Sequence, residues 1–242
     1  MSALPEYELH VEDREVVTPG ELLAEGQVVA SDGTYTEGDR VYSKVTGLAD
    51  IQGRTIRVIP LAGPYRPTPG DLVVGVVREV RFSTWLVDIR APLPATLHVS
   101  NALEEEVDLI ETDLSRYLRE GDVIAAVVKE VNPVQQTELS ILEEDAPVRL
   151  GRLEGGRVVD IDPVKVPRVI GREGSMIRML KRELECDIIV GANGRIYVRA
   201  RKEPKSRREA LAARALREIE RRSHLKGLTE WLRSNLRRLA RW

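Results

Sequence analysis

Two groups of residues in this 242-residue chain have types and spacings suited to holding an anionic polymer. The first is VIGREGSMIRML, residues 169–180. Gly171 and Gly174 let backbone amides approach phosphate oxygens with no Cβ in the way, and the N-terminus of a following helix favours negative charge at that point. Arg172 adds a cation, and Glu173 opposes it. A nucleotide-cradling loop needs a longer glycine run ending in Lys-Ser/Thr, and GREGS lacks that Lys. The second group is Phe82, the chain's single Phe, with Trp85 three residues on, His98 in the next strand and Arg81 directly before the pair. Two aromatics and an imidazole on one face form a platform for unpaired bases, each stack contributing about 1–3 kcal/mol. The same aromatics also suit a core, and the residues alone leave both readings standing.

No set of residues assembles a nucleophile, base and orienter. His10, His98 and His224 are scattered, without metal-ligand spacing. Asp160 and Asp162 alternate on one strand and read as an exposed face. Glu104, Glu105, Glu106 and Asp108 lie in the OB insertion, where a solvated loop is favoured over a metal site. The expectation is a binding protein that is not an enzyme and needs neither metal nor cofactor. Cys186 stands alone, so no internal disulfide forms; it fits a reducing compartment and a core position. The opening MSALPEYELHVEDREVV lacks the apolar run of a secretory segment, and no stretch reaches the roughly 18 apolar residues of a membrane span. A cytoplasmic protein with no membrane association is therefore expected. The formal net charge of −2 hides an asymmetry. Residues 201–242 hold 14 Lys and Arg against 5 Asp and Glu, while the rest holds 23 basic and 34 acidic residues. An acidic body with a basic end fits an anionic partner for the tail, contact with another protein or a solvated helix face.

The elements that must position these residues follow from periodicity and turn chemistry. Residues 1–64 read as short β segments (GQVVA, RVYSKVTG, RTIRVIPL) cut by Gly and Pro, and YRPTP, residues 65–69, as a stiff connector. From Gly70 to about Leu142, DLVVGVVREV, TWLVDIRA, ATLHVS, DVIAAVVKEV and ELSIL are strand-like, with one helical insertion near VDLIETDLSRYLREG. Five such strands suit a closed barrel of the OB type. Then come a strand (GRVVDID), a short helix (VKVPRVI), GREG, a helix (SMIRMLKRELE) with Ile177, Leu180 and Leu184 on one face and Ser175 placed to cap it, two strands (CDIIVGA, GRIYVRA) and a long helix from about Pro204. In TEWLRSNLRRLARW, Leu228, Leu232, Leu236 and Leu239 form a stripe among Arg233, Arg237, Arg238 and Arg241. The stripe docks either on the preceding domain or on a partner.

Gly70-Asp71, Gly75, Phe82 with Trp85, ATLHVS and LREGDVIAAVVKEVN with ELS resemble the OB-type RNA-binding domain first named in a small-subunit ribosomal protein. That resemblance implies that Phe82, Trp85 and His98 face RNA. Ser83, Asn132 and Gln136 depart from the family's usual Gly, Asp and Arg. VIGxxGxxI followed by NGRIYV resembles a type I KH domain (βααββα), whose GXXG loop clamps about four nucleotides of backbone. With VVTPGELL and RVIPLAGPYRPTPGDLVVGVVREV before them, the modules together resemble the archaeal exosome RNA-binding cap subunits over nearly the whole chain. What this implies is a multidomain α+β protein: a ring-binding β domain over 1–64, an OB domain over 65–146, a KH domain over 147–225 and a basic amphipathic tail over 226–242. It further implies single-stranded RNA bound through Arg81, Phe82, Trp85, His98 and Gly171 to Gly174, and three copies seated on a hexameric phosphorolytic RNase ring, threading RNA into it. The alternative from another class is a free-standing RNA-binding protein of translation or transcription, for which the N-terminal β module has no evident use. An autonomous ribonuclease is disfavoured by the lack of a catalytic set.

Overall fold

The computed structural model describes residues 7–104, 107–110, 112–132, 134, 136–223 and 227–239, with 237–239 described by backbone alone. Glu105, Glu106, His224, Arg241 and the side chains of Arg237, Arg238 and Leu239 thus lie outside the described residues. The chain divides between Gly63 and Pro64 into two compact units.

The first unit is all β: β1 Tyr7–Leu9, β2 Val16–Val17, β3 Leu22–Gly26, β4 Val29–Ala30, β5 Thr34–Glu37, β6 Arg40–Ser43, β7 Gly47–Gln52 and β8 Thr55–Pro60. They form two sheets, ordered β1-β3-β6-β5 and β2-β7-β8-β4. Pairing of Gln52 with Thr55 leaves Gly53 and Arg54 as a two-residue hairpin turn. Gly53 adopts φ 62°, which such a turn requires and which glycine supplies without steric cost. Val17, Leu23, Ala24, Val41, Ala49, Ile56 and Val58 fill the interior. The buried Asp50 carboxylate lies 2.5 Å from Arg57 and 3.3 Å from Arg14, so its charge is compensated.

The second unit starts with the barrel: β9 Leu72–Val80, β10 Thr84–Asp88, β11 Ala95–His98, β12 Val123–Val131 and β13 Thr137–Ser140. The order β13-β11-β10-β9-β12, with β13 pairing back to β12, closes a five-stranded OB-type barrel. β14, Gly151–Arg152, then adds to β12 by pairing with Ile124 and Ala125. Inward alternation of Trp85, Val87 and Ile89, of Ala95 and Leu97, and of Ile124, Ala126 and Val128 builds the core. Two expectations change here. The stiff connector is docked: Tyr65 is buried in the barrel cluster and its hydroxyl donates to Asp71 at 2.6 Å. Burial, then the Asp71 carboxylate beside it, pushes the Tyr65 phenol far above its usual range. Among the described residues of the expected helical insertion, the helical part is a short 3-10 turn, Leu114–Arg116, which supplies Leu114 to the core while Leu118 follows from the next turn.

The KH region runs β15 Arg157–Asp160, α1 Val166–Ile170, α2 Ser175–Leu184, β16 Cys186–Val190, β17 Arg195–Ala200 and α3 Lys205–Arg221, in the expected βααββα order. Its sheet is β15-β17-β16, antiparallel throughout. Met176, Met179, Leu180 and Leu184 recur at helical spacing on α2 and meet Cys186, Ile188, Ile196, Leu216 and Ile219 in one core. Ile177 packs partly buried at its margin. α4, Leu228–Leu239, contributes Leu228, Leu232 and Leu236 to that same core. Leu228, Leu232 and Leu236 of the tail's apolar stripe are therefore covered by the domain that precedes it. Trp231 of α4 lies under the Arg222 guanidinium, 4.2 Å from its ring centre.

Candidate nucleic-acid interface

On the barrel, strand parity separates the aromatic pair. Arg81 N–H donates to Thr84 C=O, closing a turn with Phe82 and Ser83 at its tip, and Phe82 is 68% exposed. Thr84 pairs with His98, and the Val99 amide donates to Ser83 C=O at 3.1 Å, so Phe82 and the exposed His98 sit at the same end of the barrel. Trp85 is one residue further along β10 and points the other way. It is 0% exposed, and its Nε1 donates to Leu118 C=O at 3.0 Å. Trp85 is thus core, and the expected base-stacking pair reduces to Phe82 with His98. Arg81 is exposed but committed in part: its Nε and Nη2 donate to the two Glu79 carboxylate oxygens at 3.1 Å each. That hydrogen bonding holds the Glu79 carboxyl below its usual value.

One polar group on this surface was not evident from the sequence. Thr96, on the same strand face as His98, pairs with Glu138. Glu138 accepts from Asn101 Nδ2 at 2.5 Å, and Asn101 Oδ1 accepts from Lys129 Nζ at 2.8 Å. A half-exposed ammonium is thereby fixed beside the His98 face, where a phosphate can reach it. Lys129 lies at the irregularity between Val128 and Glu130, and simple alternation does not predict a break of register there. Asn132 and Gln136, which depart from the family pattern, are satisfied by one another in the closing turn of β12 and β13.

In the KH region, Gly171 has φ 73°, ψ 171° and Gly174 has φ 74°, ψ 16°, both open to glycine and strained for other residues. A Cβ on Gly171 would lie 2.8 Å from Met176 Cβ, so the close packing of the turn on α2 also demands glycine. The amides of Gly171, Gly174 and Ser175 are used within the turn, by Pro167, Gly171 and Arg172 carbonyls respectively. Among the described residues, those of Arg172 and Glu173 have no backbone acceptor. These two exposed residues present the amides that a phosphate would meet, with Glu173 itself held in the left-handed region at φ 50°. Ser175 does not cap α2: it is the first helical residue, Gly174 occupies the cap position, and no side chain caps the start. The donors left for an outside acceptor are therefore the Arg172 and Glu173 amides, directly before α2. Ile170, 39% exposed, stands directly before Gly171 and adds an apolar surface beside them.

The sequence matches three family models in chain order. They are the N-terminal domain of the exosome RNA-binding protein RRP4 over residues 14–62, the RRP4 S1 domain over 64–130 and a KH domain over 156–204. It is 79% identical to the exosome complex component Rrp4 of Methanopyrus kandleri, with 99% of this chain and 100% of that protein aligned. The chain belongs to the Rrp4 family of exosome components. The Rrp4 of Pyrococcus abyssi is 46% identical over 94% of this chain and 84% of its own. A solved structure described as an exosome complex RNA-binding protein superposes with TM-score 0.66 at 34% identity, covering 74% of this chain and 98% of its own. The Rrp4-type S1 match stops short of β13, which closes the barrel, and the KH match stops before α3 and α4, which complete that domain's core.

Proposed function

We propose that this chain is a non-catalytic RNA-binding subunit of an exosome. In this reading the N-terminal β unit grips a hexameric phosphorolytic RNase ring, three copies form a cap, and the barrel and KH surfaces lead single-stranded RNA to the ring's entrance in the cytoplasm. Membership in the Rrp4 family over nearly the full length, N-terminal unit included, carries the reading. The surfaces described above supply the contacts. Phe82 and His98 offer faces for bases, while Lys129 and the Arg172 and Glu173 amides offer phosphate contacts. These contacts are sequence-tolerant, as a subunit that feeds varied RNA requires, and the chain's part is capture and guidance, with bond cleavage left to the ring.

The experiment is reconstitution. The full chain, mixed with the ring subunits, should co-elute as one complex and increase the ring's processing of an unstructured RNA. A chain lacking residues 1–63 should still bind RNA weakly but elute apart from the ring. Co-elution of the truncated chain would defeat the assignment of the N-terminal unit, and RNA binding by the full chain with no association to the ring would favour a free-standing RNA-binding protein.

A further inference from the structure

We infer that the KH sheet carries a second RNA-binding groove on the face turned away from its helices, between β16 and β17 on one side and residues 148–154 on the other, and that the groove holds a single strand by its phosphates. The inference rests on the reading of this chain as an RNA-binding subunit.

Strand parity builds the floor. Cys186, Ile188, Ile196 and Val198 enter the KH core, so Asp187 and Ile189 of β16, with their cross-strand partners Arg199 and Tyr197 of β17, face the other way. The GANGR turn, residues 191–195, joins the two strands. The facing wall is held in place by β12: β14 pairs with it, and the Leu153 amide donates to Val123 C=O at 2.8 Å. The Tyr197 hydroxyl ties floor to wall by donating to Glu154 C=O at 2.7 Å. Between them is a cleft of about 720 Å³, with Val148, Leu150, Leu153 and Ile189 as its apolar lining. Its size and character suit an unpaired base with its ribose. No residue of the GREG turn lines it.

The charges around this lining select an anion. Arg149, Arg152, Lys181 and Arg199 stand against Glu154 and Asp187. A second cleft, of about 450 Å³, shares Glu154, Asp187 and Arg199 with the first and adds Arg201 and Lys205 against Glu209, so the cationic surface runs on. The acids are largely spent. Asp187 is divided between two guanidiniums, Arg201 at 2.7 Å and Arg199 at 3.3 Å, and the buried Glu209 carboxylate accepts from Ala200 N–H at 3.1 Å. Arg152 pairs with Asp122 at 3.1 Å. Arg149, from the wall segment, and Lys181, from α2, have no ion-paired or hydrogen-bonded partner among the described residues. Both can therefore meet a phosphate without first giving up a carboxylate. An acidic peptide would meet the same cations, but a nucleic-acid strand brings with every phosphate a flat, partly apolar base that the leucines and Ile189 can cover.

The test uses the full chain and a labelled oligouridylate of about twelve nucleotides. Arg149→Ala with Lys181→Ala, verified as folded by circular dichroism, should bind it roughly tenfold more weakly at low salt and lower the salt slope by roughly 1.4, as expected for two phosphate contacts to a single strand. Arg217→Ala with Arg233→Ala removes the same charge from exposed positions on α3 and α4 and should change affinity by less than about twofold. Irradiation of the same strand carrying 4-thiouridine should attach it to peptides from residues 148–154 or 187–199. Equal loss in the two double variants, or cross-links confined to the Phe82 and GREG turns, overturns the groove and leaves the RNA reading intact. Unchanged RNA affinity of the folded groove variant overturns it as well, and if that variant also fails to co-elute with the ring subunits the face is a protein contact. Failure of the unmodified chain to bind the strand overturns the RNA reading, and the groove with it.

Discussion

Replacing Phe82 and Trp85 one at a time by Ala separates a binding residue from a core residue three positions away. Phe82 is 68% exposed, so its removal should change stability by no more than about 0.5 kcal/mol. If a base stacks on it, affinity for single-stranded RNA falls by about 1–3 kcal/mol, which at about 1.4 kcal/mol per decade is roughly 5- to 140-fold. Trp85 is 0% exposed and its removal opens a large cavity, costing about 3–5 kcal/mol. It also strips Leu118 C=O of its donor, adding about 1–3 kcal/mol. At about 2–4 °C per kcal/mol for a unit of this size, Trp85→Ala should lower Tm by roughly 8 °C or more. Thermal melts followed by circular dichroism and anisotropy of a labelled oligoadenylate read both quantities. A folded Phe82→Ala chain with unaltered RNA affinity would refute the stacking role, and a Trp85→Ala chain with unaltered Tm would refute the core placement.

Replacing Arg172 and Glu173 together by Asp puts two carboxylates at the only turn amides without a backbone acceptor among the described residues; the exposed turn should fold, and RNA affinity of the isolated chain should fall at every salt concentration measured. Arg172→Ala alone should only lower the salt slope, by roughly 0.7 for a single strand, and unchanged affinity of the double Asp variant would reduce GREG to a turn. Deleting residues 227–242 should lower Tm by more than about 5 °C, because it removes Leu228, Leu232 and Leu236 from the KH core, each comparable to a buried Leu→Ala of about 2–5 kcal/mol; an unaltered melt would release α4 to a partner. Burial alone would raise the Asp88 carboxyl, but the Arg90 amide and then Arg78 and Arg195 outweigh it and hold it at about 2, below the usual 3.8. Its stabilisation is therefore complete above 3.8 and lost as pH falls through about 2, so the Tm gap between the unmodified chain and Asp88→Asn should narrow between those values. A gap constant with pH would show that the charge of Asp88 is irrelevant.

Periodicity carried most of the fold, and its failures have physical causes. Alternation found the barrel strands, and the 3.6-residue spacing found α2 and the α4 stripe, because each element buries one face. It did not choose between destinations for the α4 stripe. An amphipathic helix advertises its apolar side without naming what covers it, and here the cover is the core built by α2, α3 and β17. YRPTP read as a spacer because two prolines dominate its local conformation, whereas the position of Tyr65 is decided by a hydroxyl finding Asp71 and a ring finding the barrel interior. Both are tertiary events. The GANGR turn carried no periodic signal at all: its hydrogen bonds reach residues more than a hundred positions away, at Val74 and Ile89.

The candidate site was misread at one residue, and strand parity explains how. Residues 82 and 85 would share a face only if the chain were helical or bent between them. In a strand, an odd separation sends them to opposite faces unless a turn residue intervenes. The turn of Phe82 and Ser83 lies outside β10, so the face of Trp85 is set by its own strand. There Trp85, Val87 and Ile89 alternate with Leu86 and Asp88. Val87 and Ile89 are β-branched and apolar and mark the inward side, so Trp85 belongs with them. The same parity on β11 puts Leu97 inside and His98 outside, opposite Thr84. On the proposed function, the outer face offered to RNA is therefore the turn aromatic, the strand-end imidazole and the cation at the β12 irregularity. Its stacking capacity is one Phe ring and one imidazole, which by itself favours weak, sequence-tolerant capture, so on the proposed function a second contact on the KH domain would raise affinity for a long strand above that for a short one.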